Sequence, residues 1–260
     1  MNRTTMSLTG VGIALLLAGT SHAEAGSVRL RVVAQNLSPA NSLTFAPLRV
    51  GFGNGTYDSF NNGQAATAPI ISIAEGGSGA DWFPAFAAAE PNATLGTVVS
   101  APPGPLLPGA SASAEFDVDP SVNPFFTFGS MVVPSNDYFI GNDSPTQYRL
   151  FNAAGDLQLT TIEQRARDIW DAGSELDGAF GAAFLMGSNN DDRIPQNGVV
   201  GFDFEGLDVF NGLTTAAGFT FQRQVQANDL VYRISFEVVP APGAATLMGL
   251  GMLGVVRRRR

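Results

Sequence analysis

The chain of 260 residues has no cysteine, no lysine and a single histidine, His22. Without cysteine there can be no disulfide framework, no thiolate metal site and no thiol nucleophile. His22 falls in an amino-terminal stretch that reads as a cleaved export signal, so the remainder carries no imidazole. That excludes a Ser-His-Asp triad, a Cys-His dyad and histidine-ligated zinc or copper. Chemistry in the exported part would have to rest on carboxylates, tyrosine, arginine or a hard metal ion. The expectation is a protein without catalytic activity.

The two ends carry addresses. Arg3, an apolar run over residues 8–18 and Ser21-His22-Ala23 have the charge, length and small-residue cleavage site of a signal peptide, expected over residues 1–23. At the other end, Val239-Pro240-Ala241-Pro242 precedes an apolar, Gly-rich run and then Arg257, Arg258, Arg259 and Arg260. This tail, residues 239–260, resembles the PEP-CTERM sorting tag that an exosortase recognises, with Ala241 in place of Glu. The run of about 14 residues would measure roughly 21 Å as a helix, short of a hydrocarbon core of about 30 Å. Arginines snorkelling at the cytoplasmic face would complete a transient inner-membrane anchor. The resemblance implies export to the cell surface or extracellular matrix.

Between the ends, residues 24–238 read as one domain. All 23 acidic residues and nine of the 14 basic ones lie in the exported part, a net charge near −14. Such acidity disfavours nucleic acid and anionic lipid and favours divalent cations.

Period-2 alternation dominates this domain. Val28, Leu30 and Val32 alternate with Arg29 and Arg31; Ala112, Ala114, Phe116 and Val118 alternate with Ser113, Glu115 and Asp117. Leu230, Tyr232, Ile234, Phe236 and Val238 give the cleanest strand. Further strands are expected over 47–52, 94–100, 147–151, 199–204 and 218–225, and the apolar, β-branched run 69–75 reads as extended. The run 124–133, with Phe125, Phe126 and Phe128, suits a central strand buried on both faces. One short helix is expected at 160–170, where Thr160 and Glu163 have capping-box spacing and Ile162, Ala166 and Trp170 share a face. The fold class is therefore all-β, an antiparallel β-sandwich of about eight strands with one short helix.

Two stretches carry the functional signal. In MVVPSNDYFIGND, residues 131–143, Asp137 follows a strand end and a proline, a placement that suits an oxygen-ligand cation site as well as an ordinary polar turn. In WDAGSE, residues 170–175, two acids flank a glycine-containing turn. With Gln35-Asn36-Leu37-Ser38-Pro39, Ala46-Pro47 and Ala74-Glu75-Gly76-Gly77, these stretches resemble the amino-terminal domain of spondins over residues 28–238. Asn136, Tyr138 and Ser174 depart from that family's Pro, Trp and Thr, and Phe52 stands where many members carry His.

The resemblance implies a β-sandwich holding one calcium ion through Asp137, Asp171 and Glu175, with Asp143 and Asp177 as possible substitutes. Asp171 and Glu175, four apart, can both turn onto one ion, and backbone carbonyls or water would complete the shell. The competing reading of Asp171 is a residue at a helix-terminal turn. The resemblance further implies adhesion or interaction with exopolysaccharide or another matrix component. Two alternatives use other residues: a carboxylate-based polysaccharide hydrolase acting through Asp203 and Glu205, and a carbohydrate-binding module stacking sugars on exposed Trp82 and Tyr57. Asn189-Asn190-Asp191-Asp192 lacks EF-hand spacing and reads as a solvated turn.

Overall fold

A computed structural model describes residues 26–240. The export signal expected over 1–23, and all but the first two residues of the sorting tail expected over 239–260, lie outside the described residues. Among the described residues no helix is long and apolar enough to cross a membrane.

Alternation along the chain builds two antiparallel sheets packed face to face. The smaller has four strands: β1 (Val28–Asn36), β5 (Ser111–Val118), β9 (Thr161–Arg165) and β12 (Leu230–Val238), in the order β5-β1-β12-β9. Its two central strands are the first and the last of the domain, paired from Leu30↔Val238 to Asn36↔Tyr232. The larger sheet has eight strands, six of them in the order β11-β10-β7-β6-β3-β4. These are β3 (Leu48–Gly53), β4 (Thr94–Val98), β6 (Phe125–Val133), β7 (Tyr138–Gly141), β10 (Trp170–Asp171) and β11 (Gly201–Phe202). The short β2 (Thr44–Phe45) and β8 (Tyr148–Arg149) also pair with β6.

Leu30, Val32, Phe52, Phe126, Phe128, Ile140, Ile162, Tyr232, Ile234 and Phe236 fill the space between the sheets. A second apolar cluster lies on the other face of the large sheet, beneath two helices, α1 (Ala68–Gly76) and α2 (Trp82–Ala89). This covering layer is why β6 is buried on both faces from Phe126 to Val133. Glycines let the helices approach: a Cβ on Gly129 would fall 2.8 Å from Ile73 of α1, and one on Gly51 would fall 2.3 Å from Phe86 of α2.

The sandwich agrees with the sequence reading; its helices do not fall where that reading put one. Residues 160–170 form β9, a 3-10 turn (Ala166–Asp168) and β10 instead. Ile162, Gln164 and Ala166 alternate inward, Ile162 pairs with Ile234 of β12, and Glu163 forms an ion pair with Arg233 at 2.9 Å. Pairing with the last strand overrides the capping-box spacing. The run 69–75 is helical because both ends are capped. Thr67 accepts from the Ile70 amide, a proline sits in the first turn, and Gly77 at φ 58° sends its N–H back to the Ile73 carbonyl. Residues 218–225 form no strand, although Phe221 and Val225 are buried; Phe221 and Leu213 are instead tied across a tight loop.

Candidate functional site

The turn between β6 and β7 carries Asp137 into the interior, where it is 0% exposed. Its Oδ2 accepts three hydrogen bonds: from the Ser174 amide at 2.7 Å, the Ser174 hydroxyl at 3.0 Å and the Glu175 amide at 3.0 Å. Its Oδ1 is buried with no partner. Buried polar atoms are nearly always paired, so this oxygen calls for a ligand. The three bonds also tie the β6–β7 turn to the loop after β10, which fixes the acids of that loop near Asp137.

Asp171 ends β10, with its backbone opposite Tyr138. It therefore follows a strand, and the helix-terminal reading of this residue does not apply. Its Oδ1 accepts from the Gly173 amide at 2.7 Å, and Gly173, at φ 63°, lies so close to the backbone before β11 that a Cβ would fall 2.6 Å from the Val199 carbonyl oxygen. Glu175 has a side chain only 1% exposed. Its Oε1 accepts from Asn136 Nδ2 at 2.8 Å, while its Oε2 has no hydrogen bond and lies 3.8 Å from the Arg193 guanidinium. Arg193 in turn binds Glu75 of α1 at 2.6 Å. Asn136, which stands where the spondin pattern has proline, also accepts from the Gly178 amide at 3.0 Å. A proline there could make neither contact.

Two further acids join: Asp177, a possible substitute ligand in the sequence reading, and Asp203, named there only for the hydrolase alternative. The Tyr138 hydroxyl donates to Asp177 Oδ2 at 2.8 Å and lies 3.4 Å from Asp203 Oδ2. Gly206 makes room for this meeting, since a Cβ there would fall 2.0 Å from the hydroxyl. Tyrosine in place of tryptophan thus brings in two carboxylates that the motif alone did not reveal as a pair. Asp143 lies beyond the opposite end of β7 and accepts from the Asn62 amide at 3.2 Å, away from this group.

Burial and mutual repulsion favour the protonated forms of Asp137, Asp171, Glu175 and Asp177. Asp171 is pushed up to about 7, first by burial and then by the charge of Asp137. Glu175 is also pushed up to about 7, chiefly by burial, against the opposing bond from Asn136. Asp177 is an exposed residue whose carboxylate turns inward to Tyr138, and burial of that carboxylate lifts it to about 6. Asp137 is raised by burial against the pull of its three hydrogen bonds. Among the described residues no three His, Cys, Asp or Glu side chains stand ready to hold a metal ion. Asp137, Asp171 and Glu175 thus share one region, and Glu175 turns toward Asn136 and Arg193.

Of the residues in the competing readings, Asp203 belongs to the Tyr138 group and the others fall elsewhere. Asp203 Oδ1 accepts from the amides of Glu205 and Gly206, at 2.9 and 3.0 Å, and Glu205 is exposed. Trp82, the first residue of α2, and Tyr57 are both buried in the cluster under the helices, their rings 5.8 Å apart, so neither offers a surface for stacking a sugar. Residues 189–192 form an exposed turn closed by the Asp192 amide on the Asn189 carbonyl at 2.9 Å. No family model matches the chain, and no curated protein matches it in sequence.

Proposed function

We propose that the chain is an exported, non-enzymatic β-sandwich protein of spondin type, with one calcium ion bound at the Asp137 end, serving attachment to exopolysaccharide or another matrix component. The observation that carries the cation reading is the unpartnered, fully buried Asp137 Oδ1 among carboxylates raised toward neutral pH. The donors are all oxygen, which suits a hard cation of 6–8 ligands. Asp137, Asp171 and Glu175 would hold the ion, with Asp177 the nearest reserve. A bound calcium ion would neutralise acids that otherwise retain protons and would tie the β6–β7 turn to the loop after β10.

Calcium bound only by the folded protein adds about 2.7 kcal/mol at a hundredfold excess over Kd, roughly 5–10 °C in melting temperature for a domain of this size. The purified chain should melt higher in calcium and lower in chelator. Asp137→Asn and Asp171→Asn should each remove most of that rise, and the exposed control Asp58→Asn should keep it. Equal calcium responses in the parent and in both site variants would overturn the reading. The same preparations should release no reducing sugar from exopolysaccharide, and turnover lost in Asp203→Asn would favour a hydrolase.

A further inference from the structure

An aromatic ladder crosses the outer face of the large sheet and ends at an exposed ring. Phe139, Trp170 and Phe202 stand opposite one another on β7, β10 and β11. Their rings are nearly parallel, with centroids 6.5 Å apart at 20° for Phe139 and Trp170, and 3.6 Å apart at 23° for Trp170 and Phe202. Phe60 closes the inner end, edge-on to Phe139 at 5.0 Å and to Trp170 at 5.2 Å. Trp170 is 5% exposed, whereas Phe202 is 55% exposed. β11 is the last strand of this sheet among the described residues, so no neighbouring strand stacks a ring on Phe202.

Trp170 and Phe202 also form one wall of a cleft of about 160 Å³, faced by Gln147, Glu163, Gln164 and Asp168. Its polar wall is ordered. Gln147 and Gln164 both donate to the Tyr148 hydroxyl, at 3.0 and 3.3 Å, and Gln164 is 4% exposed. Glu163 is held by Arg233 at 2.9 Å, and Asp168 accepts from the Arg165 amide at 2.8 Å. An apolar aromatic wall opposite fixed amides and carboxylates matches a pyranose ring, which presents a C–H face on one side and hydroxyls around its rim. A flat apolar ligand would use the rings and leave the polar wall unmatched. Glu163 is paired with Arg233 and Asp168 with Arg167, so the polar wall offers no free cation to a uronate or sulfated sugar and suits a neutral one.

We propose that this cleft binds one neutral pyranose unit of a saccharide chain, stacked on Phe202 and oriented by Gln147 and Gln164. The proposal rests on the reading of a saccharide matrix as partner, yet it uses none of the carboxylates grouped around Asp137. Calorimetric titration of the purified chain with gluco-, manno- and galacto-configured trisaccharides and with trigalacturonate, in calcium and again in EDTA, tests it. At least one neutral trisaccharide should bind in both conditions. Phe202→Ala should weaken that binding at least tenfold and Gln147→Ala several-fold, with melting temperatures close to the parent's. The site is overturned if no neutral trisaccharide binds, if both variants bind like the parent, or if trigalacturonate is preferred. Saccharide binding without a calcium-dependent rise in melting would leave this proposal standing and sink the cation reading; the opposite pair of results would do the reverse.

Discussion

Asp137 is satisfied at one oxygen and bare at the other, and the acids around it are raised first by burial and then by one another's charge. Asp171 and Glu175 at about 7, and Asp177 at about 6, lie well above the ordinary carboxylate values near 4. A carboxyl whose pKa is raised by folding keeps its proton longer in the native state than in the unfolded chain. Below about pH 4 both states are protonated and nothing is lost. Between about 4 and 7 the unfolded chain ionises first, so stability falls as pH rises, and the loss is complete above about 7. The calcium-free protein should therefore melt higher at pH 5 than at pH 8, and Asp171→Asn should shrink the difference. Calcium, which binds ionised carboxylates, should erase it. Calcium-free melting that is flat or rising over this range would contradict the assignment of raised acids. At this scale the sequence was readable where the chemistry was local: Asp137, Asp171 and Glu175 follow from two short motifs. The turn of Glu175 toward Arg193 was not readable, because Arg193 is positioned by Glu75, 118 residues away. The meeting of Asp177 and Asp203 depends on a tyrosine hydroxyl that neither spacing nor composition points to.

Elements were legible where one face alternates and another strand lies ready, as in β1, β5 and β12. They were misread where periodicity and capping disagreed. Run 69–75 has β-branched residues, but Thr67, Pro69 and Gly77 supply a start and a stop, and Ile70, Ile73 and Ala74 fall on one helical face against the sheet. The second helix owes its position to Glu90, just past its end. That buried carboxylate accepts from the amides of Thr56 and Tyr57, at 2.7 and 2.6 Å, and from the Asn54 amide. It thereby pins the loop after β3 against α2. Glu90→Ala would leave the buried Tyr57 amide and the half-buried Asn54 amide without an acceptor, while the Thr56 amide keeps Asn54 Oδ1 at 3.0 Å; each loss costs about 1–3 kcal/mol unless water reaches it. The melting temperature should drop by roughly 5 °C or more. Calcium response and saccharide binding should survive, since the residues that Glu90 holds, 54–57, line neither site. A Glu90→Ala protein that melts with the parent would show that the loop is not held this way.

The sandwich is closed along one side and open along the other. Where β4 and β5 meet, Thr94 donates to the Asp117 carbonyl at 3.2 Å, and the Phe52 and Phe116 rings lie 5.3 Å apart. On the opposite side, β9 and β11 leave the cleft between the sheets' edges. The two proposed sites share β10 and β11: Asp171 follows Trp170 and pairs with Gly201, next to Phe202, so the losses caused by Asp171→Asn and Phe202→Ala should couple in the double variant by more than about 0.5 kcal/mol. Losses that add within that margin would show that the two sites act independently despite the shared strands. The pairing of Leu30 with Val238 carries a different consequence, one of time. A chain made from its amino end must carry β1 without its central partner until residues 230–238 have emerged. Closing so long a loop is slow, and the small sheet is complete only once β12 has been made. Until then the sandwich stays open at its centre, and its final strand acts as the clasp that decides when the fold can shut.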